Sequence, residues 1–221
     1  MTPKDSTARF SNFSLEYEYL SSGCKYVAGM DEVGRGCLAG PVVAAVAVIS
    51  KEDQYIPGVW DSKTMTAKRR EDVYDQLLDT VDAYGIGEAS CAEIDELGIG
   101  PASSLAMQRA YDVLDIKPDI VLIDGEKVQA PNLHSRHLKQ GDRKHFIISV
   151  SSVIAKVYRD RMMIKLSKQY SGYGFEKNVG YGTKEHRLAL ESQGVCEIHR
   201  KTFSPVKDII SKGKFYEKGS G

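Results

Sequence analysis

The sequence predicts an α/β domain, and three patterns in its 221 residues carry that reading. Short runs rich in β-branched residues stop at turn residues, amphipathic spacings lie between them, and helical patterns concentrate toward the C-terminus. Tyr26 to Val33 and Pro41 to Ile49 read as two strands around the glycine-rich turn Gly34-Arg35-Gly36, with Ala83 to Ala89 as a third. Three strands so close in sequence predict an antiparallel meander. Between the second and third, Val73, Leu77, Leu78 and Val81 space an amphipathic helix over about 66–82, and Leu105, Met107, Ala110, Val113 and Leu114 mark another. Pro118-Asp119 introduces the run Ile120-Val121-Leu122-Ile123, which stops at Asp124-Gly125; Phe146-Ile147-Ile148 is expected to be a fifth strand, followed by a helix over about 150–169. Thr183 to Ser192 reads as a helix stopped by Gly194, and Ser204-Pro205 supplies an N-cap and a first-turn proline for a short terminal helix. Residues 1–20 and 212–221 read as polar ends, the tail Lys212 to Gly221 being expected to be loose. No repeat or low-complexity tract divides the chain, so residues 1–221 are read as one domain.

Composition narrows the function class. Hydrophobic residues make up 42% and charged residues 27%, which argues against disorder, a collagen-like repeat or a membrane bundle. Thirty Lys and Arg balance thirty Asp and Glu, so any contact with nucleic acid must come from a local patch. Cys24, Cys37, Cys91 and Cys196 lie far apart, without a C-x-x-C pair, and read as reduced thiols. The first 20 residues hold no apolar core that would make a secretory signal, so a cytoplasmic protein is expected. The longest apolar run, Val42 to Ile49, is far shorter than the roughly 20 residues of a membrane helix, and no membrane contact is expected.

The chemistry concentrates in the acids. Asp31 and Glu32 end an otherwise apolar strand in Met30-Asp31-Glu32-Val33-Gly34-Arg35-Gly36, where charges are disfavoured. Neighbouring strand residues point to opposite faces, so either the strand ends or bulges there, or Glu32 serves differently from Asp31. Asp124 ends a second apolar run, at the strand end where α/β sheets hold ligands. Asp142, in Gly141-Asp142-Arg143-Lys144, is a third candidate. Together these acids would make a hard oxygen site suited to Mg²⁺ or Mn²⁺. Each has a plainer reading: Asp124-Gly125 as a turn, Asp142 as a loop acid paired with Arg143, Asp31-Glu32 as a solvated strand end. Spacing alone supports a candidate metal site and nothing finer.

The stretch Gly29-Met30-Asp31-Glu32-Val33-Gly34-Arg35-Gly36-Cys37-Leu38-Ala39-Gly40-Pro41-Val42-Val43 closely resembles the signature of type 2 ribonucleases H. Asp61-Ser62-Lys63, Leu122-Ile123-Asp124-Gly125, Gly141-Asp142, Ile154-Ala155-Lys156-Val157 with Arg159-Asp160, Gly180-Tyr181-Gly182-Thr183 with His186, and His199-Arg200 with Phe203 and Pro205 follow in the family's order. The resemblance covers a core of about 25–206. One departure, Ser149-Val150-Ser151-Ser152 where the family is alanine-rich, is expected to touch helix packing more than chemistry.

The resemblance implies a ribonuclease H-like fold: a five-stranded mixed sheet flanked by helices, with a helical C-terminal extension. It also implies that Asp31, Glu32, Asp124 and Asp142 are the catalytic and metal-binding residues, serving two ions of Mg²⁺ or Mn²⁺ when substrate is bound. The expected reaction is hydrolysis of RNA within RNA–DNA hybrids and at single ribonucleotides embedded in duplex DNA, leaving 3′-hydroxyl and 5′-phosphate ends. The expected roles are ribonucleotide removal and RNA primer removal in DNA replication and repair, carried out by a monomer. Two metal ions about 3.5–4 Å apart suit such a displacement, and carboxylates alone can hold them.

Substrate reading is implied for the turn Gly34, Arg35 and Gly36, whose main chain can approach a ribose 2′-hydroxyl, and for Tyr181, which reads the ribose-to-deoxyribose junction. Lys63 and Lys184 are candidates for phosphate contact. Further charge lies in His134, Arg136, His137, Lys139, Arg143, Lys144 and His145, and in Arg200 and Lys201 near matched motifs. A nucleotide-binding alternative fails on spacing, because the third glycine of G-x-G-x-x-G would fall on Ala39 and no P-loop string occurs. A non-catalytic nucleic-acid binder of the same fold is disfavoured by the presence of all four acids, which repel phosphate unless a metal is bound. A type 3 relative would carry an added N-terminal domain and glutamate at position 142. The terminal Gly213-Lys214-Phe215-Tyr216-Glu217 only faintly echoes a sliding-clamp peptide.

Overall fold

The computed structural model describes residues 11–125 and 133–214. Five strands form one sheet: β1 (Val27–Val33), β2 (Val42–Ile49), β3 (Ala83–Ala89), β4 (Ile120–Asp124) and β5 (Ser135–Leu138), in spatial order β3-β2-β1-β4-β5. The first three make the antiparallel meander expected from their proximity, with Val27 opposite Ile49 and Val33 opposite Val43. β4 then runs parallel to β1, and β5 parallel to β4, so the sheet is mixed.

Helix α1 (Ser14–Ser21) precedes the sheet, α2 (Ala67–Thr80) joins β2 to β3, and α3 (Cys91–Leu97) and α4 (Ile99–Asp112) join β3 to β4. The short α5 (Gly141–Lys144) leads into the long α6 (Phe146–Gln169), and α7 (Phe175–Asn178), α8 (Lys184–Gln193) and α9 (Val206–Ile210) form the C-terminal extension. Caps set several starts: Thr66 accepts a hydrogen bond from the Arg69 N–H at α2, Thr183 from His186 at α8, and Ser90 exchanges bonds with Glu93 at α3. At α9 the N-cap is Pro205 itself, one residue later than expected, after a cis Ser204–Pro205 bond.

The fifth strand is a correction. Phe146-Ile147-Ile148 is the first turn of α6, buried against the sheet, whereas β5 is the polar Ser-Arg-His-Leu at the sheet edge. A three-residue apolar run has no period, so a buried helix start and a buried strand look alike. An edge strand of four residues needs little apolar content.

Alternation along β1 and β2 divides the core. Val27, Val33, Val43, Ala45, Ala47 and Ile49 pack with α2 and α6 on one face, and Ala28, Met30, Val42, Ala44, Val46 and Val48 pack with α4 on the other. Burial of each Ile or Val is worth about 1.5–3 kcal/mol, and α6 supplies Ile147, Ile148, Val150, Val153 and Ile154. A Cβ on Gly29 would overlap the Ile147 backbone, so glycine there lets α6 lie directly on β1, where the Ser151 hydroxyl donates to the Gly29 carbonyl at 2.8 Å. That close approach brings the segment before α6 to the end of β1. No described helix is long and apolar enough to cross a membrane.

The supposed polar N-terminus hides a buried acid. Glu16 on α1 is fully buried, its Oε1 accepts the Ile147 N–H at 2.9 Å, and its Oε2 has no partner among the described residues. Burial pushes its pKa from 4.5 up to about 7. A carboxyl raised in the folded state favours folding most below its unfolded pKa and loses that contribution as pH rises through its folded pKa. Wild type is therefore expected to lose up to about 3 kcal/mol relative to Glu16→Gln as pH rises from about 4.5 past 7. Urea midpoints of both proteins across that range check it; a constant difference would count against the buried carboxyl.

Candidate active site

The parallel pairing of β1 and β4 sets Met30 beside Ile123, and thus Asp31 beside Asp124 at the strand ends. Asp142 comes from α5, which Asp124 fastens by accepting the Gly141 N–H at 2.6 Å. One carboxylate oxygen from each of Asp31, Asp124 and Asp142 lies within 4.8 Å of the others. Asp31 and Asp142 are 3% and 4% exposed.

Crowding makes the charged state costly. Burial first, and then the charges of Glu32 and Asp124, push the Asp31 pKa well above its ordinary value, while Ser152 and Lys63 pull it back. Asp124 is raised by burial and by Asp142. Three convergent, mutually repelling carboxylates with oxygen donors alone fit a hard divalent cation.

Glu32 differs. The ladder runs regularly to Val33, with Glu32 opposite Ala44, so the pleat turns Glu32 away from Asp31. Its Oε1 accepts from Arg35 at 3.0 Å, yet Asp124 lies near enough to raise its pKa, secondary to burial. Of the two openings left by the sequence, the strand neither ends nor bulges at Glu32.

A cation already stands at the cluster. Lys63 Nζ donates to Asp142 Oδ2 at 3.0 Å, and Arg143 donates to Asp61 at 2.9 Å, so the segments 61–63 and 142–143 are cross-paired. Asp142 thus pairs with Lys63 in place of Arg143. Burial opposes the Lys63 charge, but Asp31, Asp142 and Asp61 outweigh it and push its pKa up. The serine departure also reaches the acids: Ser152 hydrogen-bonds Asp31 and shares a 2.8 Å bond with Ser62, and Ser149 donates to the Asp142 carbonyl at 2.9 Å. The expectation that these serines bear mainly on packing is corrected by those contacts.

The turn sits next to the tyrosine. Cys37 pairs with Tyr181 in an antiparallel bridge, and the Leu38 N–H donates to the Gly180 carbonyl at 2.8 Å. Tyr181 is 38% exposed, with Lys156 Nζ 5.4 Å from its ring centroid. Gly34 has φ 91°, and a Cβ there would overlap the buried Arg159 side chain; its glycine requirement is internal. Around Gly36 the space is open.

Lys184 is exposed in the first turn of α8, and among the described residues no ion pair joins it to the acids. His134 immediately precedes β5 and His137 lies on it, their Nδ1 atoms 2.6 and 3.1 Å from the Asp119 and Gly125 carbonyl oxygens. Arg200, counted among the surface charges by sequence, is 0% exposed. His186 and His199 are buried in the extension with Nε2 atoms 3.0 Å apart, and burial holds His199 down to about 3. Phe215 to Glu217 fall outside the described residues.

The ribonuclease HII family model matches residues 28–206. The chain belongs to the ribonuclease HII family. Among relatives, the ribonuclease HII of Bacillus mycoides is 48% identical over 197 residues, covering 89% of this chain and 76% of its own. That of Endomicrobium trichonymphae is 46% identical over 93% of this chain and 98% of its own. The ribonuclease H2 crystal structure from Pyrococcus horikoshii matches with TM-score 0.72 at 29% identity, covering 85% of this chain and 98% of that one. Archaeoglobus fulgidus ribonuclease HII, solved in complex with PCNA, matches at TM-score 0.68 and 25% identity over 80% and 94% of the two chains. With this family and the ribonuclease H-like fold, the chain is a metal-dependent endoribonuclease of the ribonuclease H type.

Proposed function

We propose that this member of the ribonuclease HII family, working as one folded unit, hydrolyses the RNA strand of RNA–DNA hybrids and cuts at single ribonucleotides in duplex DNA, leaving 3′-hydroxyl and 5′-phosphate ends. The observation that carries this reading is the three-carboxylate cluster of Asp31, Asp124 and Asp142. Asp31, Asp124 and Asp142, with Glu32 beside them, would hold two ions of Mg²⁺ or Mn²⁺. Such ions lower the pKa of the attacking water and neutralise charge on the phosphoryl group and the leaving oxygen. The chain's own residues orient and select. Lys63, held at Asp142, is poised for the phosphate backbone, and Lys184 would reach it from α8. The main chain of Gly34, Arg35 and Gly36 would bond the 2′-hydroxyl, approached from the open side of Gly36. The cellular roles that follow are removal of ribonucleotides and of RNA primers from DNA.

Incubation with a duplex carrying one ribonucleotide, with an RNA–DNA hybrid and with an all-DNA duplex, each with and without Mg²⁺ or Mn²⁺, tests the reading. Metal-dependent cutting of the first two alone is expected; failure on the single ribonucleotide would remove the junction activity.

Tyr181 supplies a separate prediction. Base or sugar stacking on an aromatic ring is worth about 1–3 kcal/mol, so Tyr181→Ala should slow single-ribonucleotide cleavage by roughly five- to 150-fold. Tyr181→Phe should keep the stacking share. Because the acids are untouched, the Mg²⁺ dependence should stay in place. Unchanged cleavage by Tyr181→Ala on that substrate would return the ring to packing against Cys37 and Lys156.

A further inference from the structure

Two buried arginines converge on the backbone between residues 34 and 41. Arg159 Nε, Nη1 and Nη2 donate to the carbonyls of Pro41, Val179 and Ala39 at 2.9, 2.8 and 2.9 Å. Arg200 comes from the C-terminal extension, more than 160 residues along the chain from the turn it meets. Its Nη2 donates to Gly34 at 2.6 Å and to Gly40 at 2.8 Å, its Nη1 to Arg35 at 2.8 Å, and its Nε to Gly40 at 3.0 Å. Among the described residues no carboxylate pairs with Arg200, so main-chain carbonyls carry most of its solvation.

That arrangement is expensive unless the geometry it fixes is needed. Burial lowers the Arg200 pKa, and the neighbouring Arg159 charge lowers it further. The turn holds itself weakly: Gly34 and Gly40 lie at φ 91° and 84°, and the internal bond from the Cys37 N–H to the Gly34 carbonyl is 3.3 Å long. A planar guanidinium fork can pin carbonyls of both glycines and of Arg35 at once, which an ammonium point charge cannot.

We propose that Arg200 is a positioning residue for ribose recognition, its guanidinium fixing the Gly34-Arg35-Gly36 backbone so that the turn distinguishes ribose from deoxyribose. This rests on reading the turn as the sensor of the 2′-hydroxyl. Main-chain recognition has no side chain that could adjust, so an error near 1 Å in the turn forfeits the contact. Arg200 acts from behind the turn and touches no substrate.

The test measures affinities of wild type, Arg200→Lys and Arg200→Met for two duplexes that differ by one 2′-hydroxyl, with Ca²⁺ replacing Mg²⁺ and intact substrate verified on a gel. Wild type should prefer the ribonucleotide duplex, and both variants should lose roughly three- to tenfold of that preference, the worth of one hydrogen bond. Partial unfolding scales both affinities equally and leaves their ratio unchanged, so a merely structural role does not move this readout. If wild type shows no preference, the reading of the turn fails. If wild type discriminates and the folded variants discriminate equally well, the role of Arg200 is overturned while the turn reading stands. Failure of both variants to fold would assign Arg200 to stability and likewise overturn the proposal.

Discussion

Asp31→Asn is expected to reduce single-turnover cleavage by several orders of magnitude while the metal-free protein melts at the same or a higher temperature. The two halves have one cause. Asp31 is buried where β1 meets β4, and its charge is opposed by Glu32 and Asp124, which together with burial raise its pKa. Asparagine keeps the oxygen that accepts the Glu32 N–H at 2.8 Å and replaces a repelling oxygen with a donor amide. The fold loses a penalty and the proposed metal site loses a charged ligand. Rapid-quench cleavage and thermal melting of the same preparation check both halves. Near-normal turnover would remove Asp31 from the chemistry, and a large fall in melting temperature would mark it as structural.

Much of this site was legible because its acids sit in conspicuous places. Asp31 and Asp124 each end an apolar run, and an acid there has a cost that calls for a reason. The pleat alone posed the question of Glu32, and the regular ladder to Val33 answered it. β1, β2 and β4 were readable from apolar, β-branched runs and β3 less directly, since Ile86 is its one β-branched residue; α2 and α4 were readable from apolar spacing, and α8 from its stop at Gly194. β5 escaped because Ser135-Arg136-His137-Leu138 is a short edge strand whose sequence carries no alternation of apolar residues. α1 escaped because its one fully buried side chain is the acid Glu16.

Arg159 and Arg200 illustrate a different limit. In sequence an arginine reads as surface charge, because burying one needs several acceptors at once. Those acceptors are carbonyls of residues 34, 35, 39, 40, 41 and 179, and only the folded chain brings them around the two guanidiniums. Ser152 is similar: a hydroxyl in a helix is unremarkable until the helix is laid on β1 and the hydroxyl meets Asp31.

Chelation of divalent ions is expected to abolish cleavage and leave the fold intact, with a pH signature that identifies the acids. Asp31 and Asp124 have folded pKa values raised above the ordinary 3.8. Groups shifted that way favour the folded state below their unfolded pKa and lose that contribution as pH rises through the folded values. The metal-free protein should therefore lose melting temperature as pH climbs above about 4. Divalent cations bind the deprotonated form, so the stabilisation given by a fixed concentration of Mg²⁺ or Mn²⁺ should grow over the same range, reaching about 2.7 kcal/mol at a hundred times the dissociation constant. Glu16 also titrates upward of its usual range, but comparing each pH with and without metal cancels it. The metal-induced shift in melting temperature, measured at several pH values in wild type and Asp31→Asn, decides the matter. A shift that is the same at acidic and alkaline pH, or that survives undiminished in Asp31→Asn, would place the stabilising ion somewhere other than these carboxylates.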